Sequence, residues 1–184
     1  MTEEKKVKLK EIDIRVLAEL MKDCRRSDRE IAKALGVSQP TVSRTIAKLE
    51  KQGVIHEYVA IPDFKKIGYE LMGVTFTRDA KPLSIEEKQR QRKAVQEIES
   101  KNPYASLLAV NGSGFGKDRM FIVLYRDYSR YAESMRLSKS LPNLEIDQFE
   151  SFLVDLNDES SYRMFTLDRV ARNLLAYGVN ESTT

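Results

Sequence analysis

The stretch Ser27-Asp28-Arg29-Glu30-Ile31-Ala32-Lys33-Ala34-Leu35-Gly36-Val37-Ser38, continued by Gln39-Pro40-Thr41-Val42-Ser43-Arg44-Thr45-Ile46-Ala47-Lys48-Leu49, decides the fold of the first third of the chain. Ser27 and Glu30 make an S-x-x-E pattern, in which each side chain satisfies the other's backbone amide and a helix begins. Ile31, Ala32 and Leu35 recur at helical spacing, and Gly36 is the expected stop. Ser38 suits an N-cap, and Pro40 falls in the first turn, where its missing amide costs nothing. Val42, Ile46 and Leu49 then repeat toward Gly53. Two short helices joined by the tight Gly-Val-Ser turn form a helix-turn-helix. The small Ala32 lets them approach, and Val42 fills the space between them.

Upstream, Ile12, Val16, Leu17, Leu20 and Met21 carry the same periodicity and predict a first helix. The outward face of the third helix reads Gln39, Thr41, Ser43, Arg44 and Lys48, with Ser38 at its start. Short hydrogen-bonding groups followed by cations are what a recognition helix needs, since its N-terminal residues meet base edges while Arg and Lys find guanine or phosphate. Arg25, Arg26, Ser27 and Arg29 stand where the positive end of the second helix would help hold backbone phosphates. Val54 to Ile61 is β-rich and is expected as a wing, with His56 either an exposed wing residue or a phosphate contact. The competing reading is a three-helix packing unit with a solvated polar face.

The chain has 184 residues, 31 Lys and Arg, 28 Asp and Glu, and a formal net charge of +3. Thirteen of the bases and ten of the acids lie in residues 1–60, so the whole excess sits there and the remainder is neutral. That asymmetry fits a nucleic-acid-binding head on a body with another task. The 41% hydrophobic and 32% charged composition is that of a globular chain with real cores. No apolar run approaches the roughly 18 residues of a membrane span, and the first residues lead into no secretory core; a cytoplasmic protein without membrane partners is expected. The single Cys24 permits no internal disulfide and no multi-cysteine metal site. With one His and one Cys, no nucleophile–base pair is visible, so no enzyme, catalytic residue, metal or cofactor is expected.

Residues 62–71 read as a hinge. Met72, Val74 and Phe76 alternate as a half-buried strand. Ser84 to Glu87 is a second capping box, opening a helix to about Lys101 with Ala94, Val95 and Ile98 as its buried side and Asn102-Pro103 as its stop. The run Lys88 to Lys93 reads as a solvated helix face rather than a second DNA contact. Ala105 to Val110 and Met120 to Tyr125 are further strands, the latter apolar enough to be central and covered on both faces. Ser129 to Leu141 is a helix stopped by Pro142, and Glu145 to Asp155 a fourth strand. The order β-α-β-β-α-β is the ferredoxin-like plan. Residues 159–177 predict a last amphipathic helix, for packing or dimerisation, closed by Gly178.

The loop Asn111-Gly112-Ser113-Gly114-Phe115-Gly116-Lys117-Asp118 fails as a phosphate loop, because Asn111 and Asp118 stand where a P-loop needs Gly and Ser or Thr. It fails as a dinucleotide fingerprint because a strand follows it. A hairpin connection, or a small-ligand pocket that includes Gly114, remains.

Asp13 to Leu17, Ser27 to Ser38, Thr41 to Glu50, Gly53-Val54-Ile55 and Lys66 to Leu71 together resemble the Lrp/AsnC family of transcriptional regulators, with an archaeal character and a divergent effector domain. The resemblance covers about residues 11–78. It implies a winged helix-turn-helix followed by a ferredoxin-like domain that dimerises and often binds amino acids between subunits. In that family a Val-x-Gly-x-x-Asp turn lies at the β2–β3 connection, and Val110, Gly112 and Asp118 are similar to it, which points to Gly112 and Asp118 as effector contacts. The turn is longer here, and a C-terminal helix is added. The expectation is therefore an α+β protein: a DNA-binding domain over 1–61, a hinge over 62–71, an effector and dimerisation domain over 72–156, and a helix and tail over 157–184. Its expected partners are double-stranded DNA, a second copy in a homodimer or higher even oligomer, and a small-molecule effector. An architectural DNA-binding or protein-docking module is the alternative.

Overall fold

The computed structural model describes residues 7–79, 84–101, 105–139, 146–160 and 166–178. The expected stops at Asn102-Pro103 and Pro142, and the side chains of Ala94, Val95 and Ile98, lie outside the described set.

Three helices open the chain: α1 (Glu11–Lys22), α2 (Asp28–Leu35) and α3 (Gln39–Lys51). Their ends follow the local signals. Ser27 accepts from Glu30 N while Glu30 Oε2 accepts from Ser27 N, closing the capping box. Gly36 takes φ 69°, the left-handed conformation that costs glycine little, and so ends α2. Ser38 caps α3 through Thr41 N, with Pro40 in the first turn. No helix this short is stable alone; an apolar core makes it so. That core is Val16, Leu20, Ile31, Ala32 and Val42, with Ile12, Leu35, Val37, Ile46 and Ile55 packed around it.

The last helix, α6 (Asp168–Tyr177), belongs to this unit and packs along α1. At 100° per residue, Ile14 and Ala18 lie on the side of α1 opposite Ile12, Val16 and Leu20. Both are buried, Ala171 of α6 is 0% exposed, and Gly178 at the end of α6 faces Ile14 Cδ1. The expected helical start at Glu159 is corrected: Asp158 Oδ1 accepts from Ser160 N at 3.0 Å, a turn that competes with helix there, and the described helix starts at Asp168. Residues 54–61 form no ladder with any of the described residues, contrary to the β-rich expectation for the wing. The described residues of unit 1 offer no strand edge to pair with, and Tyr58 and Val59 stay exposed.

The described residues of Pro62–Met164 form the second unit. It runs β1 (Leu71–Asp79), α4 (Ile85–Lys101), β2 (Ala105–Gly114), β3 (Lys117–Tyr125), α5 (Tyr128–Lys139) and β4 (Ile146–Asp155). The four strands form one antiparallel sheet in the order β2-β3-β1-β4, the ferredoxin-like arrangement. Ser84 and Glu87 form the expected capping box of α4.

The sheet buries one face. Gly73, Thr75 and Thr77 of β1 share it with Val123 and Tyr125 of β3, and α5 covers it: Tyr131 meets Tyr125 edge-on at 5.5 Å, and Ser151 Oγ lies 3.9 Å from Met135 Sδ. The other face carries Met72, Val74, Phe76, Met120, Ile122, Leu108, Val110 and Phe152. There Leu108, Val110 and Phe152 are exposed and the rest only half-buried. The strand β3 is central, as expected; among the described residues its second face is covered at Leu124, which is buried, and left half-open along Met120 and Ile122. The β2–β3 connection is a two-residue turn, with Phe115 (φ 53°) and Gly116 (φ 68°) both left-handed, so the hairpin reading of the glycine loop holds.

Because Ala171 is buried against α1, Ala171→Glu should destabilise the protein by about 1–3 kcal/mol from overpacking alone, with an unmatched charge adding to it. Thermal unfolding of the full chain measures this, and an unchanged melting temperature would show that α6 is not part of the unit.

Candidate nucleic-acid interface

In α3 the side chains of Val42, Thr45 and Leu49 point into the core, so Pro40, Arg44, Ala47 and Lys51 form an exposed ridge on the opposite side. Arg44 stands in the middle of it. Its Nε donates to Pro40 O at 3.1 Å, which braces the side chain along the helix and leaves the terminal nitrogens for an outside partner. Among the described residues no acid pairs with it. Gln39, Arg25, Arg29 and His56 are also exposed.

Other sequence-derived candidates are engaged inside the unit. Ser27 and Ser38 are caps, and Thr41 Oγ1 shares a 2.8 Å hydrogen bond with Ser38 Oγ. Arg26 forms an ion pair with Glu19 and donates to Glu30 O at 3.3 Å. Ser43 donates to Asp28. Lys48 pairs with Asp13, a carboxylate only 3% exposed that also accepts from Lys10 N at 2.8 Å. Three carboxylates, Glu19, Asp13 and Asp28, thus hold a cation or hydroxyl of the expected DNA-facing set.

Sequence reading missed two kinds of residue. Ala47 and Lys51 were legible, lying three and seven residues beyond Arg44 on the same helical face. The carboxylate partners were not, because Asp13 meets Lys48 across 35 residues of chain and Asp28 meets Ser43 across 15.

The effector candidates lie at the β2–β3 hairpin end of the sheet. Gly112 and Gly114 are exposed on the edge strand β2, and Asp118 Oδ2 accepts from Asp79 N at 3.0 Å. Arg119 donates to both carboxylate oxygens of Asp79, at 3.0 and 3.2 Å, and to Asn111 Oδ1 at 3.1 Å. Strand pairing thus brings Asp79 and Arg119 beside Asp118 and Asn111. Among the described residues no three His, Cys, Asp or Glu groups are placed to hold a metal, and no helix is long and apolar enough to cross a membrane.

The Glu19 carboxyl is held below its ordinary value of 4.5, first by its hydrogen bond from Lys22 and then by the Lys22 charge and by Arg26, against an opposing effect of burial. A depressed carboxyl stabilises the fold fully above its unfolded-state value, and that stabilisation disappears as pH falls through the folded one. E19Q should therefore lower the melting temperature at about pH 7 and flatten its decline between about pH 5 and 3. A pH series of melts on both proteins measures this; an identical decline would mean the pair contributes nothing.

A family model for winged helix-turn-helix DNA-binding matches residues 9–56. The HTH-type transcriptional regulator LrpA of Pyrococcus horikoshii is 33% identical over 110 residues, which span 59% of this chain and 78% of that protein. Among solved structures, an AsnC family transcriptional regulator from Agrobacterium tumefaciens superposes with TM-score 0.68 at 26% identity, covering 88% of this chain and 99% of its own. A transcriptional regulator from Neisseria meningitidis, solved as its L-Met complex, superposes with TM-score 0.67 at 18% identity, covering 88% of this chain and 99% of its own, and shares the fold.

Proposed function

This chain belongs to the Lrp/AsnC family of transcriptional regulators, and from that premise we propose that it reads a palindromic DNA site as a homodimer or higher even oligomer through the exposed ridge of α3. It is a DNA-binding regulator by family; the dimer, the site and the residue roles are the proposal. The observation that carries it is Arg44: braced by its own helix, unmatched by any acid among the described residues, and central on the one exposed face of α3.

Arg44 contacts a base edge, where an arginine fork suits guanine O6 and N7. Gln39 reads beside it, and the Ala47 methyl group suits a thymine methyl. Arg25, Arg29 and Lys51, with His56, neutralise phosphates that fix the register without reading sequence. Lys48 and Arg26 act through position: their pairs with Asp13 and Glu19 hold α3 and the start of α2 where the other residues reach the groove. Two copies of α3 enter successive major grooves about 34–36 Å apart. The second copy covers the open sheet face of Val74, Ile122, Leu108, Val110 and Phe152, since an apolar patch of this kind marks an interaction surface.

A small-molecule effector, an amino acid by analogy with the L-Met complex of the Neisseria protein, binds at the end of the sheet near Gly112, Gly114 and Asp118. It acts only by favouring one arrangement of subunits over another. Regulation of this kind needs no catalytic residue or cofactor, and it places the protein with the DNA of the cytoplasm.

The test is a specificity ratio, because phosphate contacts alone give salt-dependent binding to any DNA. Arg44→Ala should weaken binding to the selected site by about 1–3 kcal/mol while changing affinity for scrambled DNA far less. Equal losses on both sequences would remove Arg44 from base reading, and a wild-type ratio near one would favour an architectural role.

A further inference from the structure

We infer that Asp28 fixes the base preference of Ser43, turning its hydroxyl into an acceptor toward DNA so that the base facing it is adenine or cytosine. The inference rests on the reading above, in which α3 enters the major groove.

A serine hydroxyl has one proton and two lone pairs. In this chain two acceptors already compete for that proton. One is the Asp28 carboxylate at the first position of α2; the other is Gln39 O, one turn back in α3, at 3.3 Å. The carboxylate is the stronger acceptor, since hydrogen bonds to an ionised group are shorter and roughly twice as strong as neutral ones. It also stands beside the N-cap Ser27, where the positive end of α2 favours a negative charge. While the carboxylate holds the proton, Ser43 keeps only lone pairs for a third partner; the neutral Gln39 O, at 3.3 Å, is a weaker hold that a base acceptor can displace.

The major groove then discriminates by chemistry. Its hydrogen-bond donors are the N6 amino group of adenine and the N4 amino group of cytosine; guanine shows N7 and O6, and thymine shows O4 and a methyl group. A hydroxyl free to rotate serves any of these as donor or acceptor. Held by Asp28, Ser43 serves only the amino groups, and a guanine or thymine there sets acceptor against acceptor. Ser43 has the position for it: it lies in the N-terminal half of α3, the half that meets base edges, and it is half-buried on the side facing α2 rather than sealed in the core. Asp28 touches no base in this scheme. It is a positioning residue acting through Ser43.

The experiment is selection from a random DNA library with the full chain at about 150 mM salt, comparing base frequencies for wild type, D28A, S43A and R44A. The column that S43A alters is the one Ser43 faces. In the wild type it should favour adenine or cytosine by about 2- to 10-fold, the discrimination of one hydrogen bond. D28A should admit guanine and thymine in the same column and leave the column that R44A alters unchanged. Asp28 also repels phosphates, so D28A should bind all sequences somewhat more tightly; only the column separates the two effects.

Guanine or thymine in that wild-type column would overturn the inference. So would a column that responds to S43A but not to D28A, or a motif altered by R44A alone, which leaves the reading of α3 intact. A wild type that enriches no motif would sink that reading and this one with it. If D28A melts below the assay temperature, D28N takes its place: it keeps the volume at the start of α2, removes the charge that holds the hydroxyl proton, and should relax the same column.

Discussion

Helix α1 is buried on two opposite sides, by Ile12, Val16 and Leu20 on one and by Ile14 and Ala18 on the other, and the DNA-binding unit is assembled around that fact. A 12-residue helix has too few internal hydrogen bonds to persist alone in water. Its first face joins α2 and α3 to close the helix-turn-helix core. Its second is covered by α6, from the opposite end of the sequence. The chain therefore leaves this unit at Ile61 and returns to it at α6, so the core that positions α3 depends on residues more than a hundred positions away. The polar edge of α1 is equally committed: Asp13 reaches α3 through Lys48, and Arg15 Nη2 donates to Leu35 O at 3.0 Å, satisfying a carbonyl at the end of α2.

These polar ties divide the labour on the α2–α3 side that is proposed to face DNA. A buried carboxylate such as Asp13 is costly unless paired and hydrogen-bonded, and here Lys10 N and Lys48 supply both needs. The cost of ordering α3 is thus met within the folded unit rather than at the moment of binding. What remains outward is a short set of groups on a rigid ridge, centred on Arg44. A helix whose cations were all unpaired would carry more charge to the DNA and hold less orientation.

The second unit follows a different logic. Strand pairing joins β2, β3, β1 and β4 in one antiparallel sheet, and α5 covers one face through Tyr131 and Met135. On the other face Phe152 is 68% exposed, beside Val74 and Ile122. The apolar run from Met120 to Tyr125 reads correctly as a central strand. Among the described residues its second face is left half-open along Met120 and Ile122, which local sequence does not foretell. At the end of the same sheet, Lys117 reaches past β1 to Gln148 and Glu150 of β4, at 2.6 and 2.7 Å, and closes a hairpin whose tip carries Phe115 against Phe76 at 6.3 Å.

By itself the sequence determined whatever is set within a few residues. It placed the capping boxes at Ser27 and Ser84, the left-handed stop at Gly36, the helical row of Val42, Ile46 and Leu49, and the alternation of Met72, Val74 and Phe76, which together specify a helix-turn-helix followed by a ferredoxin-like sheet. The outward ridge around Arg44 was legible for the same reason, since helical periodicity is a local property. Only the tertiary structure decided what depends on distant partners. It set the pairing of Lys48 with Asp13 and of Ser43 with Asp28, the meeting of Asp79 and Arg119 across two strands, the lack of a ladder between 54–61 and the other described residues, and the docking of α6 on α1. Spacing along a chain fixes which face a residue occupies. It does not fix which charged or apolar group, brought back by the fold, will be waiting there.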